Sequence, residues 1–387
     1  MKTVAPWTDT LNPAYNSGEI FKNTQKCLRV SFRKGVPMGY QDSEYRLAAA
    51  SLANHPQDHG WRELYRFLAT SLEYGRTPLL TRLFLEHQQN DAQGSPTHAV
   101  TLVGIALKTC LSPQAFASLL EPIDMSAKIG RLEMLIRESF DELERILVTR
   151  RNSFTGARRF LIPQVLLSAF FRQHREVPCV VADLGTGLGI MPRQLNSEQS
   201  FELFAPYLHW PQGIPVFRSF DLAKRFGIDR PPLPTGDWVG NCYGVSNYYR
   251  VLYKELCDAL AILDVQTVDV TYTAIDIVED SASLERFLRT HGVNAVSLSY
   301  VFYQVSTEAR MSVLRTIQSS LVPPFIAVIV EPRGGMLGQQ GCTVTVYTHE
   351  APEPVHFCSV SDGHFIGDVS AGTDYMTFTK RYPIDFS

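Results

Sequence analysis

Between Lys128 and Arg151 the apolar residues Ile129, Leu132, Ile136, Phe140, Leu143 and Leu147 recur every three or four positions. That spacing lines one face of a helix. KIGRLEMLIRESFDELERILVTRR therefore predicts a long amphipathic helix, with Ser126 as N-cap and Asp141 with Arg145 as an exposed i,i+4 pair. The pattern is mostly helical from about residue 40 to 150, interrupted by a polar loop at HQQNDAQGSPTH (87–98). Residues 1–20 are polar with two prolines and read as an irregular arm.

After Arg159 the pattern changes. FLIPQVLLSAFF is one more apolar helix, and then short continuous apolar runs appear at VPCVVAD (177–183), VNAVSLSYV (293–301) and FIAVIV (325–330). Helical segments such as SASLERFLRTHG separate them, which is the signature of a buried parallel sheet. CTVTVYT (342–348) and YMTFTK (375–380) alternate more and suit an antiparallel hairpin at the sheet edge. The expected fold class is α/β. A Rossmann-like, mostly parallel sheet with an antiparallel edge hairpin is expected over 161–387, after a helical cap or substrate domain over 1–160.

Composition narrows the function classes. Hydrophobic residues make up 45% of the 387, enough for a sizeable core. The formal charge is −3 and no Lys/Arg cluster is present, so nucleic acid is not an expected partner. The seven cysteines are scattered with no C-x-x-C pair, unlike a disulfide framework. The opening residues lack an apolar signal core, and no run of about 18 apolar residues occurs. The expectation is a cytoplasmic protein without a membrane partner, whose oligomeric state stays open, a homodimer being one option.

The most informative stretch is VVADLGTGLGIMPRQL, which reads as strand, glycine turn, helix start. Asp183 ends the strand, and Gly185, Thr186, Gly187 and Gly189 form the turn. Glycines permit positive φ and close approach of backbone to a ligand, and the following helix is expected to turn its free N–H groups toward whatever binds. A dinucleotide site wants G-x-G-x-x-G. Here the third glycine comes one residue early, and Ile190 stands where Gly or Ala is wanted.

D-x-G-x-G-x-G resembles motif I of the class I S-adenosylmethionine-dependent methyltransferases. The resemblance implies S-adenosylmethionine as cofactor, with the turn against its methionine part and Asp183 helping to hold its amino group. It implies an acid for the ribose hydroxyls at the end of the next strand, where RFGIDRPPL offers Asp229 and PVFRSFD offers Asp221. It implies adenine contacts after a third strand, where Asp276 and Ile277 stand. RRNSFTGARRFLIPQVL, GIDRPPL and SLSYVFYQVSTEARMSVL together also resemble, more weakly, an uncharacterised bacterial methyltransferase-like family known only as a domain of unknown function.

A sulfonium is stabilised by aromatic faces. Tyr300 and Tyr303, beside Phe302 at the end of the fourth strand, are the candidate catalytic residues, with core packing as the competing reading. Tyr243, Tyr248 and Tyr249 are weaker candidates for a substrate-facing lid, and Glu331 for a base, an anchor or a solvated loop acid. In HPQDH, His55 and His59 beside Asp58 have the i,i+4 spacing of a helical metal site, but Pro56 argues for a loop and no third ligand is near; VHFCSVSDGH (His356, Cys358, Asp362, His364) lacks standard ligand spacing, so no metal is expected. No G-x-S-x-G elbow or phosphate loop occurs. The expected function is methyl transfer to a small-molecule metabolite in biosynthesis. The rivals are an enzyme that cyclises S-adenosylmethionine itself and releases methylthioadenosine, a nicotinamide-dependent oxidoreductase, and a non-catalytic binding module. Gly187→Val is expected to block the cofactor while leaving the fold intact.

Overall fold

A computed structural model of the chain describes residues 38–54, 59–121, 124–333 and 341–387. The proposed N-terminal arm, with His55 and Asp58 of the HPQDH cluster, lies outside the described residues.

Nine strands form one sheet: β1 (Cys179–Leu184), β2 (Leu208–His209), β3 (Leu222–Asp229), β4 (Thr271–Ala274), β5 (Ala295–Ser299), β6 (Ile326–Pro332), β7 (Cys342–Thr348), β8 (Ala351–Val360) and β9 (Gly367–Ala371). Their order is β2-β9-β8-β7-β6-β5-β1-β3-β4. The β4-β3-β1-β5-β6 block is parallel throughout, and β7, β8 and β9 continue it as an antiparallel meander. The fold is thus α/β, Rossmann-like, with a mostly parallel sheet. The central strands are apolar without alternation because both faces are covered: Val181, Ala182, Ala295, Val296, Ala327 and Val328 are all buried. In β7 burial alternates residue by residue, which is why its sequence alternates too.

The helices are α1 (Met38–Leu52), α2 (His59–Tyr74), α3 (Pro78–Asn90), α4 (Pro96–Cys110), α5 (Pro113–Ser118), α6 (Met125–Glu138), α7 (Phe140–Thr149), α8 (Leu161–Gln173), α9 (Ile190–Gln194), α10 (Glu198–Phe204), α11 (Gly236–Cys242), α12 (Asn247–Gln266), α13 (Ser281–Thr290), α14 (Thr307–Ser320) and α15 (Tyr375–Arg381). Asp42–Ser387 is one compact unit. Among the described residues no helix is long and apolar enough to cross a membrane.

Helix α4 is apolar nearly all round, with Ala99, Val100, Leu102, Val103, Ile105, Ala106 and Leu107 buried, so it forms the centre of the helical region. Ser95 caps it by accepting from His98 N at 3.1 Å, with Pro96 at its first position. The α3–α4 corner is fastened to the loop after β5. Ser95 N donates to Gln304 O at 2.9 Å, and Ser306 N donates to Gln93 O at 2.7 Å. This fastening brings the helical region to the carboxyl end of the parallel strands.

Four local expectations change. The long helix expected over 128–151 is two helices that meet at Ser139, whose N–H closes α6 on Ile136 O and Leu135 O; Asp141 and Glu142 stand in the first turn of α7. Its first N-cap is Asp124, not Ser126, accepting from Ala127 N at 3.0 Å. Arg145 pairs with Glu142, not Asp141, through Nε at 2.8 Å. YMTFTK is not a strand; it forms α15, which buries Tyr375 and Phe378 one turn apart. The antiparallel edge is made by β7, β8 and β9 instead.

Candidate functional site

The glycine turn follows β1 with positive φ at all three glycines: +74° at Gly185, +58° at Gly187 and +66° at Gly189. Each is held by a different neighbour. A Cβ on Gly185 would overlap Val301, one on Gly187 would lie 2.8 Å from Thr155 Oγ1, and one on Gly189 would overlap Tyr272. Gly187→Val would therefore strain the backbone and displace Thr155, so it does not test ligand binding alone. The turn's amides are also committed. Gly185 N and Thr186 N donate to Ile228 O at 2.8 and 3.1 Å, and Gly187 N donates to Asp229 Oδ2 at 2.7 Å. Helix α9 is only five residues long, so the turn is organised by β3 rather than by a strong helix terminus.

A cavity partly open to solvent lies above this turn. Asp183, Gly185, Thr186, Gly187, Asp229, Asp276, Ile277 and Tyr300 line it. Gly189 does not; it serves the packing of Tyr272. Tyr303 does not line it either; its ring is buried and its hydroxyl accepts from Asn152 Nδ2 at 2.5 Å. Asp221 precedes β3, at the strand end opposite Asp229, and its carbonyl accepts from Cys179 N at 2.7 Å. Of the two acids considered for the ribose, Asp229 alone faces the cavity.

The charges are distributed unevenly. Asp183 is 5% exposed. Burial raises its acid to about 7, while the hydroxyls of Thr186 and Ser297 against it pull the other way. Burial raises Asp229 as well, opposed by the amides of Gly187 and Arg230. Asp276 is tied on both oxygens: Oδ1 accepts from Val278 N and Glu279 N, each at 3.1 Å, and Oδ2 lies 2.9 Å from Arg230 Nε. Arg159 reaches in from before α8, with Nη1 donating to Phe154 O at 3.0 Å. Its guanidinium sits 4.1 Å from the centre of the Tyr300 ring, so that aromatic face already carries a cation. Burial pushes the phenols of Tyr300 and Tyr303 up, and both keep their protons at neutral pH.

The opposite wall comes from segments to which sequence reasoning assigned no site residue. Asp91, Gln93 and His98 belong to the α3–α4 corner, and Arg151, Asn152, Phe154 and Thr155 to the stretch between α7 and α8. Asp91 pairs with Arg151 at 3.1 Å, and His98 Nε2 accepts from Asn152 N at 3.2 Å. The available signal was weak: several arginines and an Asn in RRNSFTGARRF, with no apolar periodicity to explain them.

Glu331 is neither a solvated loop acid nor a residue of the cavity wall. Oε1 accepts from Val301 N and Phe302 N at 3.0 and 2.8 Å, and Oε2 from Tyr303 N at 2.9 Å. It caps the turn that carries Tyr300 and Tyr303. Burial raises it to about 7 despite the three amides. Tyr243, Tyr248 and Tyr249 form no lid: Tyr243 hydrogen-bonds Thr155 O, Tyr248 donates to Asp362 Oδ2 at 2.8 Å, and Tyr249 is buried against Phe154.

No protein-family profile matches the sequence. No curated protein matches it at a significant level. Among solved structures the chain is similar to the S-adenosylmethionine-dependent methyltransferase SibL in its apo form, at 12% identity and a TM-score of 0.24, over 69% of this chain and 55% of SibL. It is similar also to a candidate O-methyltransferase from Nostoc punctiforme PCC 73102, at 14% identity and a TM-score of 0.23, over 70% of this chain and 85% of that one. The chain thus spans about half the length of SibL. Likeness at these scores carries no argument about function.

Proposed function

We propose that the cavity binds S-adenosylmethionine and that the protein transfers its methyl group to a small-molecule acceptor. One observation carries the reading. Asp183, Asp229 and Asp276 stand at or just beyond the carboxyl ends of three neighbouring parallel strands, and all three line the cavity that contains the glycine turn. Ligands of open α/β sheets bind at that end of the strands.

The residues present fit such a cofactor. A buried carboxyl raised to about 7 gains from a cation beside it, and Asp183 is placed for the ammonium group. Arg159, whose Nε has no hydrogen-bond partner among the described residues, suits the carboxylate. Asp229 is available to a vicinal diol, and Ile277 with Val278 offers apolar contact to a base. When bound, the cofactor supplies an electrophilic methyl group on a sulfonium. The chain's own part is to hold the donor, align the acceptor and exclude water, which in well-oriented systems amounts to roughly 7–11 kcal/mol. Tyr300 acts here as a positioning residue, fixing Arg159 through its ring face.

Calorimetric titration with S-adenosylmethionine, S-adenosylhomocysteine and NADH tests this. Micromolar binding of both adenosyl compounds, with none of NADH, is the expected outcome. Binding of NADH alone, or of none of the three, would overturn it.

A further inference from the structure

His87, Asp91 and His98 converge at the α3–α4 corner. His87 and Asp91 are one helical turn apart at the end of α3, and His98 lies in the first turn of α4. One ligand atom from each lies within 4.8 Å of the others. The two rings meet edge to face, with centroids 5.4 Å apart and planes at 65°. His87 is 2% exposed and His98 is fully buried. His87 Nε2 and His98 Nδ1 are both buried without a hydrogen-bond partner among the described residues. Buried polar atoms are rarely left so, and two neighbouring imidazole nitrogens beside a carboxylate call for a shared occupant.

We propose that His87, Asp91 and His98 form a binding site for one first-row divalent cation such as Zn²⁺ or Co²⁺. Two imidazoles and a carboxylate are a ligand set these ions accept, and three protein ligands leave coordination positions open. His98 and Asp91 also line the cavity, so the site adjoins it. Ligand atoms around such an ion stand about 3–3.5 Å apart, so the three side chains must close in slightly.

Two features oppose the ion and make the site discriminating. Arg151 holds Asp91 at 3.1 Å, with Arg230 at 4.0 Å, so the carboxylate is shared between cations. Ligation through His98 Nδ1 moves the ring proton to Nε2 and gives up the 3.2 Å hydrogen bond from Asn152 N. The cation must therefore displace a long hydrogen bond and compete with a guanidinium.

The test is titration of tag-free, full-length protein with Co²⁺, followed by visible absorption, and competition with Zn²⁺. No adenosyl compound is present, so failure here leaves the methyl-transfer reading standing, and the converse also holds. One Co²⁺ per chain at micromolar affinity is expected, weakened at least tenfold in His87→Gln and in His98→Gln. His174→Gln, in the separate His174, His349 and Glu350 cluster, should leave it unchanged. Arg151→Gln should tighten it by freeing Asp91. Both histidines are buried, so the two variants are read only where they fold, and the wild type gives the stoichiometry. A folded wild-type protein that takes up neither metal at micromolar concentration overturns the proposal, as does stoichiometric binding unaffected by either substitution in folded protein.

Discussion

The amide of Gly187 donates to the carboxylate of Asp229 across 2.7 Å, joining the turn after β1 to the end of β3. The turn and the end of β3 thereby become one rigid piece, which in the proposed site joins the cradle of the methionine part to the ribose acid. The other oxygen of Asp229 accepts from Arg230 N at 2.8 Å. Asparagine has one acceptor oxygen for these two donors. Asp229→Asn is therefore expected to lower thermal stability by about 1–3 kcal/mol. It should also weaken S-adenosylmethionine binding by at least tenfold. Calorimetry beside a melting curve separates the two effects, and unchanged affinity would remove Asp229 from the site.

The pH dependence follows from Asp183 and Glu331, each raised to about 7 by burial. An acid raised on folding keeps a proton that the unfolded chain has already lost. Stability should therefore fall as pH rises from about 4 to about 7, by at most about 1.4 kcal/mol per pH unit for each group, and level off above. Affinity for the cationic donor should run the other way, rising toward pH 7 as Asp183 ionises. In Asp183→Asn the slope of both curves should shrink. Urea unfolding and calorimetry at four pH values read the two trends, and an affinity that falls over this range would contradict the assigned role.

Gly185→Ala places a Cβ against Val301 on a backbone at φ +74°. The left-handed backbone costs about 1–2 kcal/mol and the overlap about 1–3 more. Val301→Ala should return part of that loss in the double variant, giving a coupling of about 1 kcal/mol or more by denaturant unfolding. Strict additivity would mean that the two residues do not meet.

Glu331→Gln keeps the shape of the side chain and reverses one of its hydrogen bonds, setting an amide NH₂ against a backbone N–H. A loss of about 2–4 kcal/mol is expected from the unsatisfied donors. The turn carrying Tyr300 should loosen first, visible as faster hydrogen exchange at Val301, Phe302 and Tyr303 before any global change.

The sheet was legible because its central strands are buried on both faces, and a buried strand has to be apolar throughout. Asp183 stood out because it lies at the carboxyl end of such a run, whereas Asp229 and Asp276 follow β3 and β4, which carry polar, exposed residues. The opposite wall was not legible, since Asp91, His98, Arg151 and Asn152 are assembled only by tertiary packing and carry no shared spacing. The break at Ser139 was not legible, because the apolar period runs on without a gap through Phe140 and Leu143 and the Ser139 hydroxyl makes no cap on α7. YMTFTK misled for the opposite reason. Its alternation is real, but Tyr375 and Phe378 also sit one helical turn apart, and at six residues the two periods cannot be told apart.

The stretch from Arg151 to Arg159 has no regular structure at its start and contributes to both sides of the cavity, Arg159 toward the glycine turn and Arg151 with Asn152 toward the α3–α4 corner. Directed evolution of this protein would meet an asymmetry as a result. Changes within that stretch alter both walls of the cavity at once and are apt to be lost in selection. Changes at Gln93 reach the cavity from the corner and from the loop after β5, whose Ser306 Oγ donates to Gln93 Oε1 at 2.8 Å, and leave the glycine turn untouched. Libraries built on the corner should yield more active clones than libraries of equal size built on the connecting stretch.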